Sequence, residues 1–141
     1  MPQLQIARAG KRSPLVKRIA GREGTEPERI RQGIADGTIV IPHNARRRIE
    51  RPCAIGTGLR TKINANIGTS KDSSDIAHEL KKMEAAVSLG ADAVMDLSTG
   101  ARLVDTRRVI MKNARVPIGT VPIYETVIQA LAKRRRIRDI R

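Results

Sequence analysis

Asn66, Met95 and Tyr124 are the side chains in this sequence whose types and spacing best suit chemistry, and each stands 29 residues after the one before. A carboxamide both donates and accepts hydrogen bonds. A thioether offers a soft, adaptable contact, and a phenol joins an apolar ring to a polar tip. All three lie in short segments of one kind: Asn64-Ala65-Asn66-Ile67-Gly68-Thr69-Ser70, Val94-Met95-Asp96-Leu97-Ser98-Thr99-Gly100 and Gly119-Thr120-Val121-Pro122-Ile123-Tyr124. Each segment closes an apolar or alternating run and precedes a helical pattern. A strand, loop and helix repeated at that interval is a βα unit. Three in succession bring three strand ends to one rim of a parallel sheet, where α/β proteins build their sites.

Around these three stand supporting candidates. Thr69-Ser70 and Ser98-Thr99-Gly100 are polar loops beside helix starts, able either to hold a phosphate on backbone N–H groups or simply to cap helices. Asp96 can serve as an acid or base, or hold its loop by hydrogen bonds. Asn66 can contact a ligand or shape a turn, Met95 can touch a ligand or fill core, and Tyr124 can bond a ligand or cover the top of the sheet. The two histidines, His43 and His78, show no metal-ligand spacing with any partner, and His78 is expected to face solvent. No Walker loop or dinucleotide glycine fingerprint is present.

These residues need elements to position them. Residues 1–51 read as a small basic region, mostly helical, with a helix opening at Thr25-Glu26-Pro27-Glu28, Thr25 as its cap and Gly37 as its stop. Residues 52–58 read as a linker punctuated by Gly56 and Gly58. The βα region follows over 59–132. Its first strand alternates Thr61, Ile63, Ala65 and Ile67 with polar residues, so one face is polar and suits a wet cavity. The helix after it carries Ile76, Leu80, Met83 and Val87 at helical spacing and ends at Gly90. A second unit runs through Ala91–Leu97 and a helix from about Ala101 to Asn113. The third strand is expected over Pro117–Ile123, with Pro122 ending its regular ladder near Val121, Tyr124 at its end and a helix from Tyr124 through Leu131. Residues 133–141 form a basic tail.

The chain has 141 residues and a net charge of +14, with no Trp or Phe and one Tyr. Its core must be aliphatic. The charge sits at the ends: net +7 over 1–51, +2 over 52–132 and +5 over 133–141. That pattern, with no aromatic platforms for bases, argues against nucleic acid as the main partner and for solvated arms. Cys53 is the only cysteine, so an internal disulfide or a multi-cysteine metal site is beyond this sequence. No apolar run is long enough to span a bilayer, and no signal-peptide core follows Met1, so the expected compartment is the cytoplasm.

The three segments, read as Ile63–Ser70, Gly90–Gly100 and Val116–Tyr124, resemble the phosphomethylpyrimidine synthase (ThiC) family of radical enzymes. Gly33–Asn44, around Ile41-Pro42, is also similar to that family's N-terminal region. The resemblance implies an α/β fold: the first three βα units of a (βα)8 TIM-type barrel after a small N-terminal region, hence an incomplete barrel. It implies the conversion of aminoimidazole ribotide to hydroxymethylpyrimidine phosphate in thiamine biosynthesis. The cofactors implied are a 4Fe-4S cluster, S-adenosylmethionine and zinc. The family's first substrate contacts fall on Asn66, Met95 and Tyr124, with Asp96, Ser98, Thr99 and Gly100 in support.

The family's metal-binding histidines, its later substrate loops and its C-x-x-C-x4-C cluster motif have no counterpart in these residues, and Cys53 cannot replace them. A whole barrel of this type takes about 250 residues. The expectation is therefore a truncated synthase, inactive alone, with no metal ligands of its own. The partners expected are a second copy of the chain, as a homodimer, or a complementing chain that supplies the remaining strands and the cluster. The competing expectation is a basic module that binds anions or nucleic acid through its ends.

Overall fold

The computed structural model describes residues 2–44, 47, 49–72, 75–100 and 102–132. The expected basic tail, 133–141, lies outside them. The chain forms two compact units, Met1–Lys62 and Ile63–Arg141, and each has a core of its own.

The first unit holds α1 (Gln3–Arg8), α2 (Pro14–Glu23), α3 (Pro27–Asp36), β1 (Ile39–Val40) and β2 (Ile55–Gly56). Ser13 caps α2, its Oγ accepting from the Val16 N–H at 3.2 Å, and Pro14 opens the helix. Gly24 and Gly37, at φ of 63° and 78°, end α2 and α3 in the left-handed conformation that glycine adopts without penalty. At the start of α3 the capping position falls to Glu26 rather than the expected Thr25, and no side chain caps there. Val16, Ile19, Ile30, Ile34 and Ile39 form the core.

Residues 52–58, expected as a linker, belong to this unit. Pro52, Cys53 and Ala54 are buried, and β2 pairs antiparallel with β1, Ile39 opposite Gly56 and Val40 opposite Ile55. Leu59 packs on the same core. Residues 60–62 are pinned to α2 by Glu23, whose carboxylate accepts from the Arg60 N–H at 3.1 Å and pairs with the Lys62 ammonium at 2.8 Å. Both side chains of that ion pair are nearly inaccessible, 3% and 7% exposed. This anchoring explains why the first parallel strand starts at Asn64 and not near Leu59.

The second unit alternates β3 (Asn64–Ile67), α4 (Ile76–Ser88), β4 (Ala93–Asp96), α5 (Leu103–Asn113), β5 (Ile118–Thr120) and α6 (Pro122–Ala132). The three strands form one parallel sheet in the order β3-β4-β5. Register sets Asn66 opposite Met95 and Met95 opposite Gly119. Side chains alternate across a strand, so Ala65, Ile67, Val94 and Ile118 share one face, while Asn64, Asn66, Met95 and Gly119 share the other. The first face packs on Met83, Leu80 and Val87 of α4 and Ile110 of α5. Asp75 caps α4, its Oδ1 accepting from the Ala77 and His78 N–H groups at 2.8 and 3.3 Å. Asp92 ties the start of the sheet: its Oδ2 accepts from the Ile63 N–H at 3.0 Å.

The regular ladder of the third strand closes one residue before the expected Val121. It ends at Thr120, because Pro122 already opens α6. Tyr124 accordingly stands in the first turn of a helix, not at a strand end, and this corrects its expected position. The α5 helix begins at Leu103; Ala101, its expected start, lies outside the described residues.

Candidate functional site

Asn66 and Met95 are brought together. They are register partners near the C-terminal ends of adjacent parallel strands and emerge on the face away from the helices. Asn66 is exposed, and its Oδ1 accepts from Asn64 Nδ2 at 3.1 Å, which orients the carboxamide. Met95 is half-buried. The next strand leaves room for it: a Cβ on Gly119 would lie 2.7 Å from the Met95 methyl carbon and 2.8 Å from its sulfur. The thioether therefore lies across the bare Cα of Gly119. Sequence reading passed over Gly119 as a strand glycine, although a glycine inside a strand pattern often marks such a close approach.

Asp96 points to the opposite face and is buried. Its Oδ1 accepts from the Ser98 N–H at 3.0 Å and the Ser98 hydroxyl at 2.6 Å. Ser98 Oγ accepts in turn from the Thr69 N–H at 3.1 Å. Thr69 returns the connection, its carbonyl accepting from the Thr99 and Gly100 N–H groups at 2.8 and 3.2 Å. The polar loops after β3 and β4 are thus laced to each other, and their N–H groups at 69, 98, 99 and 100 are spent on internal bonds. Gly100 is buried, and a Cβ there would come within 2.7 Å of the Ser70 carbonyl oxygen. Of the two roles open to Asp96, this geometry shows loop holding.

Two further groups escaped sequence reading. Glu79 reads as one charge on a solvated helix, yet it is buried, its Oε2 accepting from the Gly68 N–H at 2.7 Å and its Oε1 pairing with Lys82 at 2.6 Å. Arg107 of α5 pairs with Glu125 of α6, the residue after Tyr124. The Arg107 hydrogen bond holds the Glu125 carboxyl below its ordinary value, with the charges of Arg107 and Arg108 adding to it. The same hydrogen bond raises Arg107. Tyr124 itself is 40% exposed at the start of α6.

The described residues do not fit an iron–sulfur cluster or a zinc ion. Cys53 is buried in the first unit, and among the described residues no three His, Cys, Asp or Glu side chains converge. His78 is exposed on α4. Among the described residues no helix is long and apolar enough to cross a membrane.

Residues 2–141 match the family model described as the Radical SAM ThiC family. The phosphomethylpyrimidine synthase of Thermodesulfovibrio yellowstonii is 52% identical over 133 residues, covering 94% of this chain and 31% of that protein. The 5-hydroxybenzimidazole synthase BzaB of Moorella thermoacetica is 48% identical over 134 residues, covering 95% of this chain and 31% of that protein. The phosphomethylpyrimidine synthase of Thermococcus kodakarensis is 47% identical over 137 residues, 97% of this chain and 32% of the relative. The chain spans about a third of the length of the curated relatives it matches. With a match along nearly every residue, including the paired strand ends that carry Asn66 and Met95, the chain belongs to the radical SAM ThiC family.

Proposed function

We infer that this chain is the N-terminal part of a phosphomethylpyrimidine synthase, contributing the first wall of the pocket that takes aminoimidazole ribotide. The observation that carries this reading is the register of Asn66 against Met95, with Gly119 making space beside them. A fixed carboxamide next to an adaptable thioether suits a flat, polar heterocycle: the amide reads its ring nitrogens and the sulfur packs on its face. Tyr124, from the start of α6, supplies a phenol that can bond the sugar or phosphate. The parallel β3-β4-β5 sheet supports the barrel reading, since among the described residues both edge strands have open ladders that further strands of a barrel would close.

Radical chemistry of the family's kind would call for an iron–sulfur cluster and S-adenosylmethionine, which the described residues do not hold. Their ligands, and those of zinc, lie in residues other than these, on the rest of the same polypeptide or on a complementing chain. The part played by this chain is to bind and orient the substrate. A second reading follows from the similarity to BzaB, whose identity to this chain is close to that of the synthases: the same wall would then serve hydroxybenzimidazole formation.

Titration of the complete polypeptide that carries this segment with aminoimidazole ribotide tests the reading. Asn66→Ala should weaken binding about tenfold, the loss of one or two hydrogen bonds. Unchanged affinity in that variant would remove the assigned site. Formation of 5-hydroxybenzimidazole rather than hydroxymethylpyrimidine phosphate by the complete polypeptide would select the second reading. The 141-residue chain alone should show no iron–sulfur absorbance after incubation with iron and sulfide, and no cleavage of S-adenosylmethionine.

A further inference from the structure

Glu79 is 2% exposed on a helix whose other charges face solvent. Neither the helix nor the core requires a carboxylate there. Asp75 already caps α4, and an apolar side chain of similar volume would fill the space without desolvating a charge. What the carboxylate does is reach the turn that follows β3. Its Oε2 accepts from the Gly68 N–H at 2.7 Å, and its Oε1 is neutralised by Lys82 at 2.6 Å.

Gly68 stands two residues after Asn66. Its φ of 146° and its approach to the next loop both demand glycine: a Cβ would lie 2.5 Å from the Ser98 nitrogen. From there the bonds run on, Thr69 N–H to Ser98 Oγ and Ser98 to Asp96, the residue after Met95. One connected line therefore leads from Lys82 and Glu79 to the turns behind both Asn66 and Met95. We propose that Glu79 is a positioning residue, which fixes Asn66 and Met95 relative to each other by holding the Gly68 turn. The proposal rests on the reading that those two side chains contact the substrate.

The test uses the complete polypeptide with labelled backbone amides and methionine methyls, followed by nuclear magnetic resonance. Glu79→Gln keeps an oxygen that can accept from Gly68. Glu79→Asp keeps the charge but is one methylene too short to reach it, and Glu79→Met fills the volume with no acceptor. Met and Asp should each speed hydrogen exchange at Gly68 about tenfold. They should also move the Asn66 side-chain amide and Met95 methyl signals while the Ile110 and Val116 amides stay in place. Gln should restore all three. Should the Met variant not fold, the Asp and Gln pair decides alone. Wild-type exchange at Gly68 in the Asp variant would overturn the proposal, and so would a folded Gln variant that restores nothing. A titration with aminoimidazole ribotide separates the two readings. If wild-type Asn66 and Met95 signals ignore the ribotide while the Gly68 results hold, the substrate assignment falls and the positioning stands. If the ribotide binds the wild type and the Asp variant equally, the positioning role falls.

Discussion

Met95 owes its place to its neighbours. Asn66 flanks it on one side, and on the other Gly119 offers no side chain. Gly119→Ala would put a methyl group 2.7 Å from the end of the Met95 side chain. That end is flexible, so it should swing away at a stability cost of about 1 kcal/mol or less. The effect should appear as a displaced Met95 methyl resonance and weaker ribotide binding, with the melting temperature nearly unchanged. A large fall in melting temperature with no movement of Met95 would contradict this account of the contact. The 29-residue spacing placed Asn66 beside Met95 but failed for Tyr124: the register partner of Met95 is Gly119, and the phenol lies five residues further on, in a helix. Glu79 was not legible, because an acid on a helix that also carries Lys81, Lys82 and Glu84 reads as surface. Only a long-range partner, the Gly68 amide, reveals it.

The elements were easier to identify than their ends. Period-two alternation found β3, and helical spacing with Gly90 found α4. Two punctuation signals misled, one of them only in part. Gly56 and Gly58 suggested a linker, but Gly56 is in a strand whose partner, Ile39, is distant in sequence. Pro122 rightly marked the end of the ladder, but it is also suited to the first turn of a helix, so α6 opens there and not at Tyr124. Close packing inside the first unit is tested by Gly33→Ala. A Cβ there would fall 2.5 Å from Ile39 Cδ1 and 2.7 Å from its Cγ1, a core contact that should lower stability by about 1–3 kcal/mol in thermal unfolding. The contact between α5 and α6 makes a prediction about acid. Arg107 depresses the Glu125 pKa in the folded state, so this pair stabilises fully above the ordinary carboxylate value of 4.5 and progressively less as pH falls through the depressed one. Glu125→Gln should therefore reduce stability at neutral pH and flatten its loss on acidification. The partial exposure of both side chains keeps the effect modest.

At the scale of the whole molecule, both outer strands of the parallel sheet lack a partner among the described residues. Open edges invite pairing with other chains. Sedimentation of the 141-residue chain should show self-association that grows with concentration, and a strictly monomeric species with a sharp melt would speak against it. The first unit carries a different consequence. Cys53, the only thiol in the sequence, is 4% exposed beside Ala54 in that unit, while the second unit has none. A sulfhydryl reagent should therefore label the protein only as fast as the first unit breathes. Its uptake over time becomes a private clock for that half of the chain, blind to whatever the sheet and its pocket wall are doing.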